Sequence, residues 1–111
     1  MAQLVLLADY QRQGRRVFFN RDELNLLLGV YSRKVAVGAW RDYAIDHRSH
    51  MAVFSIYRRS QERPVFAVTK VMLRGEKAAS YVLQADSRQI RSTRSLMDIV
   101  RLLERRPALV G

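Results

Sequence analysis

The residues of this 111-residue chain that most resemble a metal site are two histidines and an aspartate. His47 and His50 are spaced i, i+3, and Asp46 directly precedes them. Zinc accepts imidazole and carboxylate ligands, but it normally takes four ligands, and the sequence offers no cysteine and no second cluster. In a turn, this spacing need not bring the side chains together. We therefore expect solvated turn residues here, with no metal and no cofactor.

Acid–base catalysis would need paired carboxylates, and Asp42 and Asp46 share one face of a predicted strand. Arg41, Arg48 and Arg59 lie near them in sequence or predicted register, so ion pairing is the commoner explanation. Nucleophilic catalysis would need Ser, Thr or Cys beside an oriented base, but both histidines fall in one predicted turn. The glycines are isolated and form no phosphate-binding loop. We predict that the protein is not an enzyme.

The elements that position these residues are organised around a predicted β-hairpin. Two runs rich in aromatic and branched residues, Trp40–Asp46 and Met51–Tyr57, flank the polar tetrapeptide His47-Arg48-Ser49-His50. Whether Arg48-Ser49 or the whole tetrapeptide forms the turn, the predicted cross-strand pairs are the same. They are Asp46 with Met51, Tyr43 with Phe54, and Trp40 with Tyr57.

The two faces of this hairpin differ in character, because successive side chains of a strand point to opposite sides. One face is predicted to join the core: Tyr43, Ile45, Ala52, Phe54 and Ile56. The other, outer face is mixed: Trp40, Asp42, Ala44, Val53, Ser55 and Tyr57. We expect Trp40 and Tyr57 to be neighbours there, and this aromatic pair is the clearest indication of function in the chain.

The segment before the hairpin predicts a strand and a helix. Arg15–Phe19 is typical of a strand, and Asn20 with Glu23 forms a capping-box signal that begins a helix. Gly38 stands where a left-handed residue would end that helix. The helix has one apolar stripe: Leu24, Leu27, Leu28, Tyr31 and Val35.

The segment after the hairpin predicts two more strands, Pro64–Leu73 and Ala78–Ala85, and then a short polar stretch, Arg88–Ser92. Ser95 and Asp98 open a second helix. Its apolar stripe is Leu96, Ile99, Val100 and Leu103. Burial favours a three-residue loop between the second and third strands, which sets the pairs. They are Ile56 with Phe66, Phe54 with Val68, Tyr57 with Val65, and Arg59 with Arg63.

Together these elements predict an α+β domain, an antiparallel meander of four or five strands with one helix before it and one after it, packed mainly on one face. Residues 1–13 form an N-terminal arm, residues 14–107 the single domain and residues 108–111 a C-terminal tail. The run Leu4–Ala8 is short and is followed by Asp9, so it predicts neither a signal peptide nor a membrane span. Because cysteine is absent, we expect a reducing, cytoplasmic compartment.

The formal net charge of +10 predicts an anionic partner, because so strong a positive field attracts anions. We expect nucleic acid or an acidic protein, and no membrane. The candidate binding residues combine the aromatic pair with arginines: Trp40, Tyr57, Arg58, Arg59, Arg63 and Arg16. Three coverings of the outer face stay open, namely the N-terminal arm, a protein partner or second copy of the chain, and unstacked bases.

The sequence therefore predicts a non-enzymatic binding module for an anionic partner, with RNA or DNA preferred, that uses an arginine-rimmed aromatic sheet face. The alternative is a protein-interaction or homodimerisation module that uses the same face. A salt titration separates the two, because phosphate contacts make affinity fall steeply with added salt, whereas an apolar interface is nearly indifferent to it.

Four runs of the chain form a distinctive pattern: Asn20–Leu24, Val30–Arg33, Gly38–Asp46 and Ala52–Arg59. Its most specific string is WRDYAID, which begins at Trp40. In these residues the chain resembles a small alphaproteobacterial family of domains of unknown function, number twenty-seven ninety-four, over about residues 15–105. The resemblance implies a cytoplasmic bacterial protein of one domain. It implies no activity, ligand or catalytic residue, so the functional expectations rest on the residues alone.

Overall fold

The predicted α+β fold is confirmed by a computed structural model, which describes residues 16–59, 63–73 and 75–106. Five strands form an antiparallel meander in chain order, with one helix before them and one after. The elements are α1 (Arg21–Ala36), β1 (Asp42–His47), β2 (Met51–Tyr57), β3 (Phe66–Val71), β4 (Ser80–Ala85), β5 (Arg88–Thr93) and α2 (Leu96–Arg105). Neither of these helices is long and apolar enough to cross a membrane. The predicted arm, residues 1–13, and tail, residues 108–111, lie outside the described residues.

Helix α1 begins at the predicted capping box. The Asn20 side chain accepts a hydrogen bond from the Glu23 amide, and the Glu23 carboxylate accepts one from the Asn20 amide, both at 2.8 Å. After Ala36 the chain turns at Gly38, whose φ of 79° lies in the left-handed region that favours glycine. The Gly38 amide donates to the Val35 carbonyl, so the helix also ends where the sequence predicts.

The strand predicted at Arg15–Phe19 is wrong for the part that the structure describes. Val17 is tied to the hairpin by a hydrogen bond from its amide to the Arg48 carbonyl at 2.9 Å, but this segment joins no strand. Val17 and Phe19 are buried whereas Phe18 is 49% exposed, so side chains alternate without a hydrogen-bonded ladder. The fifth strand of the sheet is β5, which the sequence predicts only as a short polar stretch.

The hairpin of β1 and β2 has a register two residues away from the predicted one. Tyr43 lies opposite Ile56 and Ile45 opposite Phe54, whereas the sequence predicts Tyr43 opposite Phe54. Because successive side chains alternate, a shift of two residues leaves each strand residue on its predicted face. The predicted core face of the hairpin is therefore correct although its pairing is not.

The turn of the hairpin accounts for this shift. The Arg48 amide donates to the Met51 carbonyl at 2.8 Å, which makes these two residues the last pair before the turn. Ser49 and His50 therefore form the tip, so the turn is centred one residue later than either predicted turn, Arg48-Ser49 or the whole tetrapeptide. When a two-residue turn moves by one residue, the cross-strand pairing moves by two. A shift of one residue in the turn therefore accounts for the whole difference between the predicted and the observed register.

The register between β2 and β3 is the predicted one. Ile56 lies opposite Phe66 and Phe54 opposite Val68. Phe54, Ile56 and Val68 are fully buried, so the apolar residues of both strands face the same core. Burial fixes this register, because a shift of one residue would move the apolar set of one strand to the solvent face.

Helix α2 has the predicted apolar stripe, and all of it is buried: Leu96, Ile99, Val100 and Leu103. Its N-terminus differs in detail, because the Ser95 side chain makes no capping hydrogen bond. The Thr93 hydroxyl instead accepts a hydrogen bond from the Ser95 amide at 3.1 Å and donates one to the Asp98 carboxylate at 2.9 Å. The last residue of β5 thus organises the first turn of the helix.

Both helices pack on one side of the sheet, which we call the inner face. The largest fully buried side chains meet there: Phe54, Ile56, Val68, Leu83, Leu27, Ile99 and Leu103. The opposite, outer face is formed by the outward strand residues: Asp42, Ala44, Asp46, Met51, Val53, Ser55, Tyr57, Ala67, Thr69, Val71, Ser80, Val82, Gln84, Gln89 and Ser92. Every one of these is half-buried or exposed, so the core lies on the inner side only.

Candidate anion-binding site

The sequence predicts Trp40 on the outer face beside Tyr57, and this position is wrong. Trp40 precedes β1, and it is Asp42 that lies opposite Tyr57. The Trp40 side chain is buried, with the residue only 5% exposed. Its ring centroid lies 5.9 Å from that of Phe66 and 6.3 Å from that of Tyr31, both of which pack into the inner-face core. The predicted aromatic pair therefore does not form.

The turn between α1 and β1 explains where Trp40 points. The Ala39 amide donates to the Lys34 carbonyl at 2.9 Å, and the Trp40 amide donates to the same carbonyl at 3.4 Å. These bonds and the left-handed Gly38 fold the chain back against the end of the helix. The alternation of a strand starts only after this turn, so it cannot be extended backwards to assign a face to Trp40.

The outer face carries no arginine within its described strands, because Arg59 and Arg63, which the sequence predicts at its rim, lie after the end of β2 and before the start of β3. Tyr57 lies there, half-buried, without its predicted aromatic neighbour. None of the outward residues in the described strands is Arg or Lys, and the charged ones are the carboxylates of Asp42 and Asp46. Because phosphates are held mainly by cationic side chains and backbone amides, these strand surfaces do not form a phosphate-binding platform.

Arginines gather instead at the end of the sheet where α1 and β2 end and β1 begins. An open cleft of about 710 Å³ lies there. Its lining combines three guanidinium groups with apolar and bare backbone surface: Arg41, Arg58, Arg59, Val35, Gly38 and Trp40. The buried indole thus forms part of the floor of a cationic cleft rather than part of an exposed face.

A second, smaller cleft of about 240 Å³ adjoins the first and shares Arg58 with it. Its other lining residues come from the chain around the start of β3 and from the turn after β4: Arg63, Pro64, Val65, Asp86 and Ser87. We call the four arginines of the two clefts the arginine end: Arg41, Arg58, Arg59 and Arg63. A single surface therefore collects cations from the termini of three strands.

The structure brings Arg58, Arg59 and Arg63 together at this surface and adds Arg41, which sequence reasoning misses. The correct hairpin register could have found it, because the Arg41 amide donates to the Tyr57 carbonyl at 2.8 Å, next to Arg58. Arg16 lies apart from them. It directly precedes Val17, which is bonded to the turn at the other end of the hairpin.

Other cations near this end stabilise the fold. The Lys34 ammonium donates to the backbone carbonyls of Glu104 at 3.1 Å and Arg106 at 2.7 Å, which caps the C-terminus of α2. Arg33 pairs with the Glu104 carboxylate, and the Arg106 guanidinium lies 5.5 Å from the centroid of the Phe66 ring. These groups hold the helices and the core together and line neither cleft, so they lie outside the candidate site.

A buried charge network lies at the opposite end of α1, around Glu23, which is 6% exposed. Its carboxylate accepts hydrogen bonds from the Lys70 ammonium at 2.8 Å and from the Tyr81 hydroxyl. Burial by itself raises the pKa of Glu23, but the hydrogen bonds from Lys70, Tyr81 and the Asn20 amide outweigh it and lower that pKa below its ordinary value. Burial, together with the Glu23 carboxylate, raises the pKa of Tyr81.

This network has a structural role. Lys70 lies on β3 and Tyr81 on β4, and the Lys70 ammonium also donates to the Phe18 carbonyl at 2.8 Å. The segment before α1, the start of the helix and two strands are therefore tied to one carboxylate. Sequence reasoning finds Glu23 only as a helix cap, because its partners are distant in the chain and become visible only with the strand order.

The histidines and aspartates of the hairpin are placed for packing and pairing. The His47 ring lies against Phe18, with centroids 4.6 Å apart, and His50 is exposed. The Asp46 carboxylate accepts a hydrogen bond from Arg48 at 2.8 Å, so the predicted ion pairing is present. Among the residues that the structure describes, no group of three His, Cys, Asp or Glu side chains is placed to hold a metal ion.

Comparison with known proteins identifies the family. The model of the family described as Protein of unknown function (DUF2794) matches residues 17–100. The chain belongs to this family. The predicted resemblance is thereby confirmed, and the matched segment of this DUF2794 member contains all five strands and the whole arginine end. No curated protein and no solved structure matches the chain.

Proposed function

We propose that this DUF2794 member is a non-enzymatic binding module for RNA or DNA, and that the arginine end holds the phosphates. The observation that supports this most is the arrangement of Arg41, Arg58 and Arg59 around one open cleft, with Arg63 in the adjoining one. A guanidinium group offers a planar set of donors that binds phosphate oxygens in pairs. The net charge of +10 favours the same class of partner.

The spread of these arginines suits a polyanion better than a small anion. Arg41 and Arg59 line the first cleft, Arg63 lines the second, and Arg58 lines both. Successive phosphates of one nucleic-acid strand can follow such a surface, whereas a single small anion would need the cations to surround one point. The carboxylate of Asp86 lines the second cleft, so we place the strongest phosphate contacts in the first.

The test is a salt titration of binding to a labelled single-stranded oligonucleotide, measured by fluorescence anisotropy. For the wild-type protein we expect log affinity to fall linearly with log salt, because each phosphate contact releases counterions. Arg58→Gln is expected to weaken binding about tenfold and to reduce the salt slope by about 0.7, the value for one lost contact on a single strand.

The matched control is Arg48→Gln, which removes the same charge from an exposed ion pair in the turn at the other end of the hairpin. We expect it to leave the slope unchanged. Equal effects of the two substitutions would mean that only net charge matters and that the arginine end is not a site. Affinity that is absent at low salt, or that does not depend on salt, would overturn nucleic-acid binding itself.

The outer face supports a second candidate function, homodimerisation. Its outward residues include several apolar side chains, such as Val53 and Val82. None of these outward residues is Arg or Lys. Two chains of charge +10 repel each other, so copies of this chain meet most favourably through a surface without cations. Five strands about 20 Å long give a face of roughly 500 Å², below the roughly 800 Å² per partner of a standard interface, so we expect a weak dimer.

Sedimentation velocity over a wide concentration range tests this second function. Added salt should strengthen the dimer, because it screens the repulsion between the two chains. Val53→Lys places a cation in the middle of the outer face and is expected to abolish dimerisation without unfolding the protein. Sedimentation as a monomer at every concentration and salt would rule the dimer out.

A further inference from the structure

We infer that the larger cleft of the arginine end takes one unpaired base together with its phosphate, so that the protein prefers single-stranded nucleic acid to duplex. This inference rests on the proposed function and specifies its ligand. It starts from the lining of the cleft, which combines three arginines with Val35, Gly38 and Trp40. A nucleotide likewise combines a charged phosphate with a flat, weakly polar base.

Two residues that line the cleft leave it open to solvent. Val35, in the last turn of α1, is 39% exposed. Gly38 lies three residues later, and a Cβ atom built on it would meet no atom within 4 Å other than those of its chain neighbours. Val35 therefore offers apolar contact, and the space beside Gly38 is open.

The floor of the cleft is rigid. The Trp40 ring is packed between Tyr31 and Phe66, and Arg106 lies over the Phe66 ring. Trp40 is only 5% exposed, so its contribution to the lining is held in place by the core. Fixed contact surfaces cost little entropy when a ligand binds. We therefore expect the face of the base to stack on a guanidinium plane of one of the lining arginines, as bases also stack on aromatic rings.

A base inside a duplex cannot reach such a cleft unless it leaves its stack. Flipping a paired base out of the duplex costs the free energy of its stacking and pairing. A single strand has no such cost, and its next phosphate can lie against Arg58 and Arg63, which line the adjoining cleft. The volume of about 710 Å³ lies within the range of clefts that bind small molecules.

The experiment compares four labelled probes with the full-length protein at one salt concentration: a single-stranded oligonucleotide, its duplex, an abasic single strand of equal length, and polyglutamate. We expect the single strand to bind about tenfold more tightly than the abasic strand and the duplex, because only the single strand brings an unpaired base that can stack on a guanidinium plane and contact the apolar lining. If binding were purely electrostatic, the duplex would bind more tightly than the single strand, because the duplex has the higher charge density.

Intrinsic fluorescence supplies a second readout, because Trp40 is the only tryptophan of the chain and lines the cleft. The single strand should quench Trp40 emission, and the abasic strand should not. Val35→Ala is expected to lower the ratio of single-strand to abasic affinity about threefold through the lost apolar contact. Its control is Val37→Ala, which shortens a neighbouring side chain that is 63% exposed and does not line the cleft.

The outcomes separate the two proposals. Salt-dependent binding with equal affinity for single strand, abasic strand and duplex, and with unchanged Trp40 emission, would overturn the base-binding cleft while leaving nucleic-acid binding intact. Binding of polyglutamate as tightly as of the single strand would point to an acidic protein partner and contradict both proposals. Failure of every probe to bind at low salt would remove the proposed function, and the inference with it.

Discussion

The arginine end and the outer face belong to the same sheet but have opposite characters. At the arginine end, cations from the termini of neighbouring strands line two adjoining clefts. On the outer face, the outward residues of the described strands include no cation, and two carboxylates lie along β1. The charged side chains of these two described regions are thus unevenly distributed. Total charge predicts the class of partner, but only the positions of the charges predict where that partner binds.

The difference also separates two hypotheses that the sequence places on one surface. From the sequence, nucleic-acid binding and dimerisation compete for the same aromatic face. In the structure, the arginines that favour phosphate lie at the end of the sheet, whereas the apolar surface that favours a protein partner lies across its strands. The two proposed functions therefore use different surfaces, and we expect substitutions to remove each of them while leaving the other intact.

The largest expected effect is on the free energy of unfolding, and it distinguishes Trp40, which lines the arginine end, from Tyr57 on the outer face. Trp40→Ala is expected to lower the free energy of unfolding by about 3–5 kcal/mol, because it removes a buried indole from the core. Tyr57→Ala removes a half-buried ring and is expected to cost about 1 kcal/mol. Urea unfolding measures both values. Equal losses would show that the Tyr57 ring is covered as fully as Trp40, and the contrast between the two regions would disappear.

The next effect concerns the buried network at the far end of α1. Lys70→Met leaves the Glu23 carboxylate buried without its cation and is expected to cost about 3 kcal/mol at neutral pH. Because the pKa of Glu23 is lowered in the folded protein, its contribution is present above the ordinary value of 4.5 and is lost as the pH falls through the lowered value. The gap in stability between wild type and variant should therefore narrow on acidification.

The control for this prediction is Arg48→Gln, which breaks an exposed ion pair and is expected to change stability by less than about 1 kcal/mol. A stability gap for Lys70→Met that is constant from neutral to acidic pH would show that Glu23 is not the titrating group. Nucleic-acid affinity at neutral pH should be unchanged in Lys70→Met, because the network lies at the opposite end of the molecule from the two clefts.

A crossed pair of substitutions tests whether the two regions are independent. We expect Arg58→Gln to weaken oligonucleotide binding about tenfold without affecting dimerisation. Val53→Lys should abolish dimerisation without weakening oligonucleotide binding, because it adds a cation to a face that the nucleic acid does not use. For each of the two variants, fluorescence anisotropy gives the oligonucleotide affinity and sedimentation velocity gives the extent of dimerisation. If Val53→Lys weakens oligonucleotide binding as much as Arg58→Gln does, the two regions form one site.

The parts of the fold that the sequence predicts are those with local signals. Asn20 and Glu23 lie within one helical turn, so the capping box can be recognised from the sequence and is present in the structure. The register of β2 with β3 follows from the burial of Phe66 and Val68. The hairpin register lacks such a signal, because turns centred on either side of Ser49 keep the same residues in the core.

The candidate site is harder to predict, because it depends on turns and on the ends of strands that the fold brings together. Trp40 follows a left-handed glycine, and the sequence does not show that strand alternation begins only after it. Arg41 belongs to the site only because its strand starts beside the end of β2. The partners of Glu23 lie on two later strands, so their contact depends on the complete strand order.

The smallest expected effect defines the boundary of the arginine end. Arg33 lies near this surface, but it pairs with Glu104, and both side chains are exposed. Arg33→Gln is therefore expected to cost less than about 1 kcal/mol in unfolding free energy. It should also leave the salt slope of oligonucleotide binding unchanged, because its cation lies outside both clefts. If Arg33→Gln lowers the slope as Arg58→Gln does, the nucleic acid responds to the cations of the whole region, and the lining of the clefts does not define the site.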